Sequence, residues 1–188
     1  MEETPLSLAA GPAHQRCIAA VAELLGRQRI DFAFVGSIAR AAWLGENLES
    51  GAVDALALLT PEQKNQVAMM ASNRGFRLDR ERLAATEELD LIPMRFVDES
   101  GEMQVHILMA SNALYGHMVV DGQAATAAGV AFKVASAEDL ALLLTIGGDE
   151  ESIRTRQALL LGAGPRFDRE RFNRKAISIG LPSAVIPQ

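Results

Sequence analysis

Cysteine is nearly missing from this chain of 188 residues: Cys17 is its single thiol. One cysteine excludes an intrachain disulfide and a thiolate zinc cluster, and it suits a reducing, cytoplasmic setting. Histidine is almost as scarce. His14, His106 and His117 do not make the His-Glu-x-x-His helix of a zinc hydrolase. No apolar run approaches the roughly 20 residues of a membrane helix. The opening MEETPLS is acidic and lacks the basic-then-apolar order of a secretion signal. Positive charge is short as well. Eighteen Lys and Arg face 24 Asp and Glu, and a net charge of −6 argues against a nonspecific nucleic-acid binder. A Gly-x-x-x-x-Gly-Lys-Ser/Thr phosphate loop and a Gly-x-Ser-x-Gly nucleophile elbow are both absent. Gly162-Ala163-Gly164-Pro165 follows a helical stretch, so it reads as a turn and not as a dinucleotide fingerprint.

What remains is an ordinary globular composition, 49% hydrophobic and 22% charged, long enough for one domain with a real core. The informative stretch is Phe32 to Leu59, FAFVGSIARAAWLGENLESGAVDALALL. It predicts a buried strand, a tight turn at Gly36-Ser37, a short Ala-rich helix, an acidic loop, and a second buried strand with one acid, Asp54. A Gly-Ser turn at a helix start suits phosphate, because free backbone N–H groups and the helix dipole point at the ligand. The same residues also fit a plain strand-to-helix turn with Ser37 as cap, and Arg40 fits a solvated surface charge.

Gly36-Ser37-Ile38-Ala39-Arg40 resembles the Gly-Ser-x-Ala-Arg opening of the nucleotidyltransferase superfamily, the fold shared with DNA polymerase beta. In that family the next strand bears Asp-x-Asp; here the run Ser50-Gly51-Ala52-Val53-Asp54 keeps Asp54 and has Ala52 in the first position. A later strand supplies a third acid, and the matching run Val105-His106-Ile107-Leu108 has His106 there. Val134-Ala135-Ser136-Ala137-Glu138-Asp139-Leu140 resembles a helix start of the toxin–antitoxin and abortive-infection subgroup. Leu144 stands roughly where that subgroup carries Lys, and the loop Glu46 to Gly51 lacks its basic residue. The resemblance implies an α+β fold, with a nucleotidyltransferase-like mixed sheet, packed helices and carboxy-terminal helices. Residues 1–135 are expected to form the core and 136–188 a helical segment packed on it as one compact unit.

Outside that stretch, the first ten residues read as a loose approach to a helix from Ala13 to Gln28, in which Cys17 lies on the apolar stripe. Thr60-Pro61-Glu62-Gln63 predicts a capped helix start, and Gly75 its stop. Residues 76–90 read as a short helix or an ordered connection. Leu91–Val97 and Met103–Met109 predict a hairpin. His106, alone among apolar neighbours, fits a hydrogen-bonded core or edge residue as readily as a site residue. Ser111 to Gly116 are expected as a helical turn and segments near 117–121 and 130–134 as short strands, with the small-residue run 123–129 between them. Helices are expected from Ser136, from Glu150 and from Asp168, the last carrying Arg169, Arg171, Arg174 and Lys175 as a mainly solvated basic face. The tail LPSAVIPQ reads as a segment that docks on the domain or on a second copy.

Nucleotidyl transfer ordinarily uses two divalent cations, held by carboxylates, to neutralise phosphate and to activate the attacking hydroxyl. Side chains two residues apart on a strand share a face, so Asp-x-Asp presents two acids together. Only Asp54 of the three expected acids is present. Imidazole is a poor partner for Mg²⁺, though acceptable for Zn²⁺ or Mn²⁺. The favoured expectation is a degenerate nucleotidyltransferase-like protein that binds a nucleotide or a protein partner, the latter, or a homodimer mate, through the carboxy-terminal helices and tail. The alternative is an active, divergent transferase acting on a protein, RNA or small molecule. There Gly36, Ser37 and Arg40 would hold phosphate, Asp54 would bind Mg²⁺, and His106 would serve as base or ligand.

Overall fold

The structure is a computed structural model that describes residues 4–79, 90–99 and 101–181. Ten strands and seven helices are found among them. The strands are β1 (Leu6–Ser7), β2 (Ala9–Ala10), β3 (Phe32–Phe34), β4 (Asn47–Leu48), β5 (Val53–Ala57), β6 (Phe76–Leu78), β7 (Leu91–Asp98), β8 (Gly101–Met109), β9 (Gln123–Ala127) and β10 (Val130–Val134). The helices are α1 (Pro12–Arg27), α2 (Gly36–Leu44), α3 (Pro61–Ala71), α4 (Ala113–Val120), α5 (Ala137–Gly147), α6 (Glu150–Ala163) and α7 (Arg169–Ser178).

Eight strands form one mixed sheet in the order β1-β9-β10-β3-β5-β8-β7-β6, and β2 pairs with β4 apart from it. At its centre β3 runs antiparallel to β5, and β5 runs parallel to β8. The two strands of the opening motif are therefore neighbours. Aligned register opposes Asp54 to His106, so both side chains leave the same face of the sheet. The β7–β8 hairpin then adds antiparallel pairing, as its sequence predicts. This is the expected α+β architecture.

Apolar periodicity accounts for most of the packing. On α1 the residues Cys17, Ile18, Val21, Leu24 and Leu25 are all fully buried, one stripe at helical spacing. Burial, with a smaller contribution from Asp98, pushes the Cys17 thiol up to about 12, which makes it an inert packing group. Thr60 and Gln63 close the predicted capping box of α3. Phe34, fully buried in β3, meets the Phe32 and Phe132 rings edge-on at 5.5 and 5.2 Å. Leu140, Ala141, Leu142, Leu159 and Phe172 of the last three helices belong to the same apolar cluster as the sheet. Two features hold α2 close to the β10–α5 connection and to α6. The Trp43 indole N–H donates to the Ala135 carbonyl at 2.9 Å, and a Cβ on Gly162 would come within 2.6 Å of Leu44 Cδ2. Among the described residues no helix is long and apolar enough to cross a membrane.

Four local expectations are overturned. The first ten residues are not loose where described, because Leu6, Leu8 and Ala10 are buried at strand spacing and β1 lies parallel to β9. Residues 76–78 form a strand against β7, while 80–89 lie outside the described residues. Residues 117–120 end helix α4, and 123–127 are strand β9. The apolar run in α4 matches a strand in composition, but Asn112 caps it as a helix through the Tyr115 N–H. Finally, the basic residues of α7 are not all solvated. The Lys175 ammonium lies 2.7 Å from Asp139, which is fully buried, and 3.4 Å from Asp121; Arg171 lies 2.8 Å from Asp121.

These contacts set a pH dependence. Burial raises the Asp121 carboxyl, but Lys175 and Arg171 together outweigh it and hold the group below its ordinary value of 3.8. A carboxyl depressed on folding contributes stability that is complete above 3.8 and is lost as pH falls through its folded value. Asp121→Asn is therefore expected to be less stable than the parent at neutral pH. The gap should close in acid, a trend that urea titrations across the acid range would read.

Candidate functional site

Gly36 makes the turn from β3 into α2 with φ +59°, a conformation that favours glycine. A second constraint acts on it. A Cβ there would lie 3.0 Å from Asp54 Oδ2, so the backbone passes directly under the carboxylate. The Val35 N–H donates to the Asp54 carbonyl at 2.9 Å, which locks the turn to β5. Helix α2 has Val35 at its N-cap and no side-chain cap. Ser37 does not act as that cap. Its hydroxyl donates to the Ala52 carbonyl at 3.2 Å and so ties the turn to the entrance of β5.

Asp54 and His106 meet across β5 and β8, with Asp54 Oδ1 and His106 Nδ1 at 2.7 Å. The His106 side chain is 19% exposed and that of Asp54 29%, so the pair is reachable from solvent. Asp54 is thus in contact with the residue that stands in the third acid's position. Glu49, the other acid near this strand, accepts from Asn47 at 2.9 Å in the exposed loop. Among the described residues no group of three His, Cys, Asp or Glu is arranged to hold a metal ion.

Beside this pair opens a cleft of about 310 Å³, between the start of α2 and the α5–α6 helix pair. Gly36, Ser37 and Arg40 form one wall; Leu140, Leu143, Leu144 and Leu159 supply the apolar surface. Asp149, Glu151, Ser152 and Thr155 complete the far rim. Three expected phosphate-holding residues therefore line one cavity, while Asp54 and His106 lie behind its Gly36 edge. The Arg40 Nε lies 3.4 Å from Glu46 Oε2, a charge pair without hydrogen-bond geometry, and the Arg40 side chain is 43% exposed. Asp149 caps α6 by accepting from the Ser152 N–H and hydroxyl at 2.8 and 2.9 Å. The Ser152 backbone bond, then its hydroxyl, hold the Asp149 carboxyl below the usual range, so this rim stays charged.

Sequence reasoning anticipated Leu144 as a changed position but not the wall it belongs to. The pattern was available. Two helix starts, at Ser136 and Asp149, flank Gly147-Gly148, which folds α5 and α6 into an antiparallel pair with leucines facing α2. Glu138 and Asp139 of the subgroup-like motif turn away from the cleft. Glu138 is buried and accepts from the Asp168 N–H at 2.7 Å, and Asp139 receives Lys175.

No protein-family model and no curated protein matches this sequence. Among solved structures, an antigenic nucleotidyltransferase-like protein from Paracoccidioides brasiliensis is similar to it, with a TM-score of 0.50 and 15% identity over 97% of this chain and 94% of the other. The Cid1 poly(U) polymerase is more distant, with a TM-score of 0.36 and 15% identity over 60% of this chain and 36% of its own. The fold of this chain is nucleotidyltransferase-like.

Proposed function

We propose that this protein binds a nucleotide in the cleft between α2 and the α5–α6 pair and does not transfer it. The observation that carries this reading is the state of Asp54. It is one carboxylate where two-metal chemistry calls for several, and His106 engages it directly at 2.7 Å. Ala52, two residues before it, contributes no oxygen. Magnesium bound by Asp54 alone would be weak, since an octahedral ion wants oxygen ligands and the neighbour here is an imidazole. The binding half of the task keeps its apparatus: an uncapped helix start at Gly36-Ser37, an Arg donor beside it, and a leucine wall for an apolar ring.

A second reading rests on the same contact. A carboxylate that orients an imidazole is also the arrangement of a general base, so Asp54–His106 would suit a divergent transferase that draws the proton from an acceptor hydroxyl. One experiment separates the two. Calorimetry with ATP, GTP, CTP and UTP, with and without Mg²⁺ or Mn²⁺, is run beside an assay for pyrophosphate release. The binder reading expects heat with at least one base, no pyrophosphate, and binding that survives Asp54→Ala. Metal-dependent binding abolished by Asp54→Ala, together with pyrophosphate release, would overturn it.

A further inference from the structure

We propose that residues 182–188 of this chain occupy a groove between the start of α4 and the ends of α5 and α7, an inference independent of what the cleft binds. The groove, of about 450 Å³, is lined chiefly by Leu114 and Tyr115 of α4, Ile146 of α5, and Ile179 and Leu181 just past α7. Ile146 is 55% exposed and Ile179 37%, so apolar surface stays open on both sides of it. Exposed apolar residues are ordinary when scattered singly, but several sharing one concavity mark a place where something docks.

Helix α7 delivers the chain to this groove. Gly180, at φ +79°, donates its N–H to the Ile177 carbonyl at 3.1 Å, and the Leu181 N–H reaches back to the Ala176 carbonyl at 2.8 Å. This paired closure ends the helix at a left-handed residue and folds the next one back over its last turn. The residue so placed is Leu181, which is itself part of the groove lining. Pro182 follows, and a proline biases the residue before it towards extended backbone. The chain therefore enters the segment beyond α7 from the groove wall.

Residues 182–188 lie outside the described residues, and their sequence suits the place. PSAVIPQ has no charged side chain and carries Ala184-Val185-Ile186 at its middle. Extended, such a segment spans at most roughly 25 Å, at about 3.3–3.6 Å per residue, and it starts on the groove itself, so reach is no obstacle. A segment tethered this closely acts at an effective concentration on the order of millimolar, which a second copy at ordinary protein concentrations does not match. The choice of occupant follows from that advantage. Seated there, the segment braces Ile146, at the end of the helix whose Leu143 and Leu144 line the cleft.

The test keeps the chain at full length. Tyr115 is its sole tyrosine, so nitration read by mass spectrometry reports on the groove alone. Val185→Asp with Ile186→Asp should speed that nitration severalfold while circular dichroism stays that of the parent, and an excess of the free peptide PSAVIPQ should slow it again. Separately, Ile146→Cys with Val185→Cys should give a disulfide within one chain on mild oxidation, since Cys17 is buried and does not compete. Nitration that ignores the two aspartates overturns the inference. So does a disulfide that fails to close within one chain, whether it is absent or links two copies, the latter outcome naming a second copy as the occupant. If the aspartates unfold the chain, the cross-link alone decides. None of these results bears on whether the cleft holds a nucleotide.

Discussion

Lys175→Met is expected to cost about 3–5 kcal/mol of folding stability, the usual result of stripping one partner from a buried ion pair. The residue looks like one of four cations on an exposed basic helix, yet its ammonium lies 2.7 Å from Asp139, whose side chain is fully buried. Methionine keeps the aliphatic stem and its packing, so the variant removes charge with little change of volume. What it leaves is a carboxylate inside the protein whose remaining described side-chain support is the Ser136 hydroxyl at 2.8 Å. For a chain of this size each kcal/mol moves the melting temperature by roughly 2–4 °C, so a fall on the order of 10 °C is expected. Adding Asp139→Leu removes the stranded charge, and the double variant should recover much of the loss. A single variant within about 1 kcal/mol of the parent, the range of an exposed pair, would mean that α7 is not fastened by this contact.

That contact also marks where sequence reading ran out. Elements defined by local periodicity and caps were legible. The α1 stripe, the Thr60–Gln63 box of α3, the β7–β8 hairpin and the Ser136 cap all follow from residues within one turn of each other. The adjacency of β3 and β5 was legible for a different reason, since the Gly-Ser turn and the acid-bearing strand are known from one family as a unit. Long-range pairings were not. Asp139 and Lys175 are 36 positions apart, and no pattern in either helix announces that one is buried and the other reaches it. The helical turn at Ser111–Gly116 was legible as the start of α4, but its second half failed because a short apolar run fits strand or helix equally, and the deciding feature is one Asn cap. The Asp54–His106 contact fell between these cases. Their alignment to two acid positions predicts proximity, but a direct bond at 2.7 Å depends on register, which only the paired strands reveal.

Register makes the second large prediction possible, because it states which substitutions should rebuild a metal site. Ala52→Asp and His106→Asp together would place two new carboxylates around Asp54, one two residues before it and one directly across the strand pair. Without metal the variant should be less stable than the parent. It loses a hydrogen bond to a charged group, worth about 1.5–3 kcal/mol, and crowds like charges in its place. Saturating Mn²⁺ or Mg²⁺ should then restore it, since an ion at about 100 times its dissociation constant stabilises the bound form by about 2.7 kcal/mol. The parent is expected to melt at the same temperature in chelator and in Mn²⁺. His106→Asp alone, with two acids, should respond weakly. A triple-acid variant that folds by circular dichroism yet ignores divalent ions would show that ligand number is not what limits this site. Metal-dependent melting confined to the variant would instead place the difference between holding a nucleotide and reacting with it in Ala52 and His106.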